Sequence, residues 1–430
     1  MTVSKPNVVI VGGGFSGLYA AQRLARNKIN VTLIDRRNFH LFQPLLYQVA
    51  TGFLAPGDIA APIRSVLANK DSVNIVQDEV RDIDPSQKVV ITPHTQISYD
   101  FLIVAAGVTH SYFGNEQWAQ FAPGLKTIED SVEIRGRVLR AFEAAEQAKD
   151  SHVRKKNLTF IIVGGGPTGV ELAGALTELS HRSMKGEFRN FIPSSAKIIL
   201  VEGGSRILAT FHKNTSKYAE RILKRLGVDV VTQTRVIAVG KDYVEVLDSS
   251  GKKTIQGDTI LWAAGVKASP LSQVLQSKTG ANLDKIGRVK VAPDLSLENF
   301  HDIFVIGDLA NATGPSGSSL PGVAPVAIQQ GQYVAGLIID RINKRASKPF
   351  VYFDKGNMAV IGKGRAVAET GKLRLRGFPA WLAWAFIHIY FLIEFENKLV
   401  VFVHWAWNYI TNARGSRLIT ETYKEDLGEQ

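Results

Sequence analysis

Three glycines, Gly12, Gly14 and Gly17, follow the apolar run Val8 to Val11, and a carboxylate, Asp35, ends the next apolar run, Val31 to Ile34. These residue types at this spacing hold a pyrophosphate against a helix N-terminus. Gly12 permits the tight turn, Gly14 lets the backbone approach phosphate, Gly17 lets helix and sheet touch, and the acid accepts hydrogen bonds from ribose hydroxyls. Phe15, Ser16 and Arg36 complete the expected contact set. The pattern occurs twice. Gly164, Gly166 and Gly169 follow Phe160 to Val163, with Pro167 and Thr168 inside the motif, and Glu202 ends the run Lys197 to Val201. Two such loops imply two dinucleotides, most economically a flavin held by one and a nicotinamide delivered by the other.

Each loop needs a strand buried on both faces before it and a helix after it. The expected fold is therefore α/β, with two Rossmann-like dinucleotide-binding domains, the second inserted in the first, followed by a C-terminal β-hairpin and an amphipathic membrane-associating segment. The expected boundaries are 1–125 and 284–347 for the flavin domain, 126–283 for the nicotinamide domain and 348–430 for the C-terminal region. The duplication reaches beyond the glycines: FLIVAAGVTH and TILWAAGVKAS both end a buried strand on small residues, Ala106–Gly107 and Ala264–Gly265, where a flat cofactor can lie close. Past the strand Ile303 to Ile306, Gly307 and Asp308 are placed to bind ribityl hydroxyls, or Asp308 simply caps a turn. The segment FQPLLYQVATG reads either as a buried loop leading into a helix or as a wall beside the flavin ring, with Gln48 and Thr51 facing it. Asp130 or Ser131 is the expected cap of a helix running to about Lys149, after a linker from Lys126 to Glu129. A second helix is expected from about Pro325, and a hairpin from Lys348 to Gly371 with DKGN and GKG as its turns.

Composition narrows the chemistry. The chain has 430 residues and no cysteine, so no thiol relay, disulfide or protein-held iron–sulfur cluster is possible. Electrons must leave a flavin directly to a diffusible acceptor. The polar opening stretch is not a signal peptide, so the chain is expected to start in the cytoplasm. The formal charge of +12 points to an anionic partner. No RNA or DNA motif accompanies it and much of the local excess flanks the apolar C-terminal region, so anionic lipid is the expected partner.

That region carries two apolar runs, Phe378 to Ile393 and Leu399 to Ile410, each short of a spanning helix. Trp381, Trp384, His388, Trp405 and Trp407 lie in them. Lys372, Arg374, Arg376, Lys398, Arg414 and Arg417 bracket them. An in-plane membrane anchor needs these features; a dimer interface or a buried helix pair is the alternative.

The motifs VGGGFSG, FQPLLYQVATG, VGGGPTGVELAGAL, VEGG, WAAGV, VIGDLA and PVAIQQG, with the Trp-rich tail ending RGSRLI, make nearly the whole chain resemble the type II (non-proton-pumping) NADH:quinone oxidoreductases. The resemblance implies FAD, bound non-covalently, on the first loop, NADH on the second, and a membrane quinone as acceptor, at the cytoplasmic face of the inner membrane. It assigns Glu171 to the nicotinamide and quinone approach. Where many members carry Ala-Gln, this chain has Ala324–Pro325, which leaves Gln329 and Gln330 as the nearest quinone-contacting candidates. A reductase for a small electron-carrier protein shares both loops but needs no apolar tail; a membrane-surface NADH sensor is the non-enzymatic alternative. Glu202 stands where a 2′-phosphate would lie and repels it. NADH is therefore expected to outperform NADPH in catalytic efficiency; equal efficiencies in steady-state assays would contradict this.

Overall fold

The computed structural model describes residues 6–315, 317–411 and 414–420. Residues 1–5 of the opening stretch Met1 to Asn7, read as lacking a signal, and the end of the tail (421–430) lie outside the described residues. In chain order the elements that position the site begin with β1 (Asn7–Val11), α1 (Phe15–Arg26), β2 (Asn30–Asp35), the short helix α2 (Leu46–Ala50), β3 (Val73–Gln77) and β4 (Phe101–Val104). The long helix α3 (Ile128–Gln147) leads to β5 (Thr159–Val163), α4 (Pro167–Glu178), β6 (Lys197–Val201), β7 (Val228–Val231) and β8 (Thr259–Trp262). Then come β9 (Ser296–Leu297), β10 (Phe300–Val305) and α5 (Ala324–Ile342). The chain closes with β11 (Asn357–Gly362), β12 (Arg365–Thr370), β13 (Leu373–Gly377), α6 (Phe378–Phe391) and α7 (Phe395–Thr411).

These elements form two compact units. The first holds the chain up to Leu41, Ala60–Thr109 and Val266–Lys355; the second holds Phe42–Ile59, His110–Gly265 and the chain from Gly356. In the first, a six-stranded sheet runs β9-β10-β4-β1-β2-β3, parallel except for the β9–β10 edge. Val8, Val9 and Ile10 are fully buried, as a central strand covered on both faces requires. Helix α5 packs on α1 so closely that a Cβ on Gly331 would sit 2.1 Å from the Ser16 carbonyl oxygen. In the second unit a parallel sheet runs β7-β6-β5-β8. Helix α4 lies against β11, and α2 packs on both α3 and α4. Residues 42–59, read from sequence with the flavin domain, thus belong to the second unit.

Two local expectations change. Helix α3 is capped by Thr127, not by Asp130 or Ser131: the Thr127 hydroxyl accepts from the Asp130 N–H at 3.1 Å, and the Asp130 carboxylate accepts from the Thr127 N–H at 2.8 Å. This reciprocal capping box moves the start into the expected linker. The tail sheet is three-stranded rather than a hairpin. DKGN leads into β11, which starts at its Asn357, instead of turning a hairpin, and Leu373–Gly377, read as a basic flank, adds a third strand by its Leu-Arg alternation. The apolar runs become α6 and α7, broken at Glu394, whose φ is +65°.

Gly174 lets α4 lie close against the tail sheet: a Cβ there would lie 2.0 Å from the Ile361 carbonyl oxygen. Gly174→Ala must push α4 and β11 apart, at a cost of about 1–3 kcal/mol. The expected outcome is a lowered midpoint in thermal or denaturant unfolding; an unchanged midpoint would show that the sheet yields freely.

Candidate functional site

The two glycine loops are built alike. Gly12 and Gly164 take φ of +105° and +108°, open only to glycine without strain, and a Cβ on Gly17 or Gly169 would lie 1.9 Å from the carbonyl oxygen of Gly12 or Gly164. A Cβ on Gly14 or Gly166 meets nothing within 4 Å, so the helix N-terminus is left open to an approaching phosphate. Asp35 accepts from the Gly13 N–H at 2.5 Å and the Arg37 N–H at 2.7 Å; Glu202 accepts from the Gly165 N–H at 2.6 Å and the Gly204 N–H at 2.5 Å. Each acid therefore also braces its own loop, a role the spacing did not announce. Ser16 is buried at the start of α1 and Phe15 stacks edge-on against the buried His40, while the exposed Arg36 lies 4.0 Å from Glu79. Pro167 opens α4 as its first residue, followed by Thr168. Gly107 and Gly265 have φ of +67° and +74°, just past their strands with Ala106 and Ala264.

In the first unit Gly307 has φ +72°, and its N–H donates at 2.7 Å to the Oε1 of Gln330, which is buried. Gln329 is clamped to Phe353 by both ends of its amide, donating to the carbonyl and accepting from the N–H, each at 2.9 Å. Both glutamines hold backbone here. Asp308 lies half-buried in the following turn, and Gly322 leaves room beside its carboxyl.

The second unit contains a cavity of about 60 Å³. Helix α4 contributes Glu171 and Glu178, α2 and its loop contribute Tyr47, Gln48 and Thr51, and α6 and α7 contribute Trp384 and Trp405. Among the described residues Glu171 receives a single, long hydrogen bond, 3.4 Å from the Val360 N–H, and burial raises its pKa to about 8. At neutral pH it is a proton donor. Tyr47 is held well above the ordinary phenol range, first by burial and then by Glu171. Trp384 stacks on Trp405 at 4.8 Å and on His388 at 4.4 Å, and burial lowers His388 to about 4, leaving it neutral. Two tail expectations are corrected. Trp384, His388 and Trp405 are buried, not at a surface rim, because they fall on the inward stripes 380/384/388 and 401/405. Arg414 is not a surface flank: its side chain is 2% exposed and bonds the Thr51 carbonyl at 3.0 Å and Glu178 at 3.4 Å. Arg417 grips Glu187 with two bonds, at 2.6 and 2.7 Å.

The sequence profile of the pyridine nucleotide-disulphide oxidoreductase family matches residues 6–331. The chain is 42% identical to the type II NADH:quinone oxidoreductase Ndh of Mycobacterium tuberculosis, over 96% of this chain and 90% of that one. The chain belongs to the type II NADH:quinone oxidoreductase family. A Staphylococcus haemolyticus type II NADH:quinone oxidoreductase is 30% identical over 84% of this chain and 89% of its own. The structure of NDH2 from Plasmodium falciparum in complex with NADH superposes with a TM-score of 0.86 at 22% identity, covering 97% of this chain and all of that one, and shares the fold. The chain carries no cysteine, and so lacks the thiol pair to which the wider family owes its name.

Tyr47 and Arg414 were not singled out from sequence as site residues; the only signal was the buried-segment reading of LLYQVATG. The raised Glu171 pKa has a stability consequence. Its folded value of about 8 lies above the unbound carboxyl value of 4.5, so the folded state holds the extra proton between them. The contribution is complete below pH 4.5 and is lost as pH rises through 8. Glu171→Gln is therefore expected to melt above the parent at alkaline pH, with the difference shrinking as pH falls. Parallel melting curves across that range would contradict the raised value.

Proposed function

We propose that this type II oxidoreductase takes a hydride from NADH onto FAD and passes two electrons to a membrane quinone, without proton pumping, while bound peripherally at the cytoplasmic face of the inner membrane. The observation that carries this reading is the cavity: an acid kept protonated, walled by aromatic rings that suit a flat quinone headgroup. The residues fit the cofactors, since the open Gly14 and Gly166 cradles face helix N-termini. FAD would be held by Gly12, Gly14, Gly17, Asp35 and Asp308, and NADH by Gly164, Gly166, Gly169 and Glu202. FAD, when bound, supplies the two-electron chemistry. Reducing a quinone to a quinol takes two electrons and two protons. The hydride from NADH brings both electrons and one proton; Glu171 gives the other proton to a quinone oxygen and is recharged from water, because its pKa lies close to neutrality. Gln330 supports the Gly307 turn beside Asp308, and Gln329 fixes the segment at Phe353, so both act as positioning residues.

The tail supports membrane binding. Phe386 and Tyr390 on α6 are 73% and 65% exposed, and Phe395, Trp407 and Ile410 on α7 are 79%, 62% and 78% exposed, forming apolar faces opposite the buried stripes. Exposed Lys372, Arg374 and Arg376 on the adjoining sheet add attraction for anionic lipid. Among the described residues no helix is long and apolar enough to cross a membrane, and the faces suit in-plane binding.

Anaerobic titration tests the reading. NADH should bleach the flavin absorbance and a short-chain ubiquinone should restore it, with Glu171→Gln slowing the second step and flattening its pH dependence near 8. Reduced protein that ignores quinone but is reoxidised by a small electron-carrier protein would overturn the proposal.

A further inference from the structure

Three buried side chains join α7 to the cavity in a hydrogen-bond chain whose direction is fixed by chemistry. The Trp405 indole N–H lies 2.9 Å from Gln48 Oε1, and Gln48 Nε2 lies 3.0 Å from the Tyr47 hydroxyl oxygen. All three residues are less than a tenth exposed. An indole is a donor only. It must therefore face the amide oxygen, which turns the Gln48 NH₂ toward Tyr47. The Tyr47 oxygen accepts that bond, so its own hydrogen points elsewhere. Among the described residues this is the one hydrogen bond that the Tyr47 hydroxyl makes. The neighbouring Thr51 hydroxyl donates to the Tyr47 backbone carbonyl at 2.9 Å, which braces the same turn of α2. Tyr47 also lines the cavity.

We infer that Tyr47 is the fixed hydrogen-bond donor of this cavity, presenting its hydroxyl hydrogen to a carbonyl oxygen of the quinone, with Trp405 and Gln48 as the positioning residues that set its direction. The inference rests on the proposal that the cavity receives quinone. With Glu171 protonated, it and Tyr47 give the cavity two neutral donors, which suits a ligand with two acceptors, as the carbonyls of a quinone are. A buried donor aimed at a ligand oxygen discriminates strongly against ligands that cannot accept, because the unmatched group stays desolvated. The chain of bonds also gives the tail a role at the headgroup: the aromatic helix α7 orients a group on α2 through one amide.

The test uses the full-length flavoprotein with a short-chain ubiquinone, and compares quinone reduction with ferricyanide reduction in each variant. Tyr47→Phe keeps the ring and removes the donor. Its quinone KM should rise by about tenfold at every pH, the scale of one lost hydrogen bond. Gln48→Glu carries the distinguishing signature. When the new carboxyl is protonated it accepts from Trp405 and donates to Tyr47, as the amide does. Once ionised it accepts from both, draws the Tyr47 hydrogen off the cavity, and should raise the quinone KM about tenfold as well. The KM should therefore step upward with pH in Gln48→Glu and not in the parent. Glu171 and Glu178 on α4, Lys363 at the β11–β12 turn, His388 on α6 and Arg414 face the same region, so the parent profile run in parallel removes their titrations. Trp405→Phe, which frees the amide to turn over, should fall between parent and Tyr47→Phe. A parent-like KM in Tyr47→Phe overturns the donor role. A raised KM in Tyr47→Phe with no pH step in a folded Gln48→Glu, or with parent behaviour in Trp405→Phe, overturns the fixed direction. If the parent itself reduces ferricyanide but no quinone, the underlying reading fails instead.

Discussion

A guanidinium taken out of water needs partners inside the protein, and Arg414 finds them on two separate pieces of chain. It donates to the carbonyl of Thr51 after α2 and to Glu178 at the end of α4, and it lies over the Phe53 ring at 5.5 Å. The following strap continues the attachment: the Ser416 N–H reaches the Gly52 carbonyl at 3.3 Å, and Arg417 lies where a Cβ on Gly52 would come within 2.8 Å. A buried ion pair is a poor source of net stability, yet breaking one costs about 3–5 kcal/mol because the survivor stays desolvated. The pair therefore acts as a lock, tying the tail to the α2 and α4 walls. The cavity exists because those walls and the aromatic helices are held together there.

The same low-dielectric surroundings explain the chemistry of the wall. Burial disfavours charge on Glu171, keeps Tyr47 protonated and keeps His388 neutral, while Arg414 stays charged despite a pKa lowered by burial to about 10. Neutral donors at neutral pH suit an uncharged carbonyl ligand better than an anion. Aromatic rings supply the flat contacts, and the second unit brings these groups together from α2, α4, α6 and α7.

The glycine loops were legible in the sequence because their constraints are local. A positive φ at Gly12 or Gly164, and a helix–strand contact that excludes a Cβ at Gly17 or Gly169, recur at fixed offsets along one strand–turn–helix unit. The cavity was not legible, since its walls come from segments far apart in the chain. The stripe 380/384/388 was available at helical spacing, but aromatic and basic composition together favoured a surface reading. Nothing local distinguishes Arg414, which is buried, from Arg376, which is exposed. Third-strand pairing by Leu373–Gly377 was hidden for a similar reason: alternating leucine and arginine serves an edge strand and a cationic flank equally well.

The account depends most on the quinone being received in the second unit's cavity, and photolabelling addresses this directly. A short-chain quinone carrying a photoreactive group would be irradiated with the full-length protein and the labelled peptides identified by mass spectrometry. The account predicts label in the peptides bearing Tyr47 to Phe53, Glu171 to Glu178 and Trp381 to Tyr409, suppressed by excess unmodified quinone. Competable label confined to the segments of the first unit would contradict it.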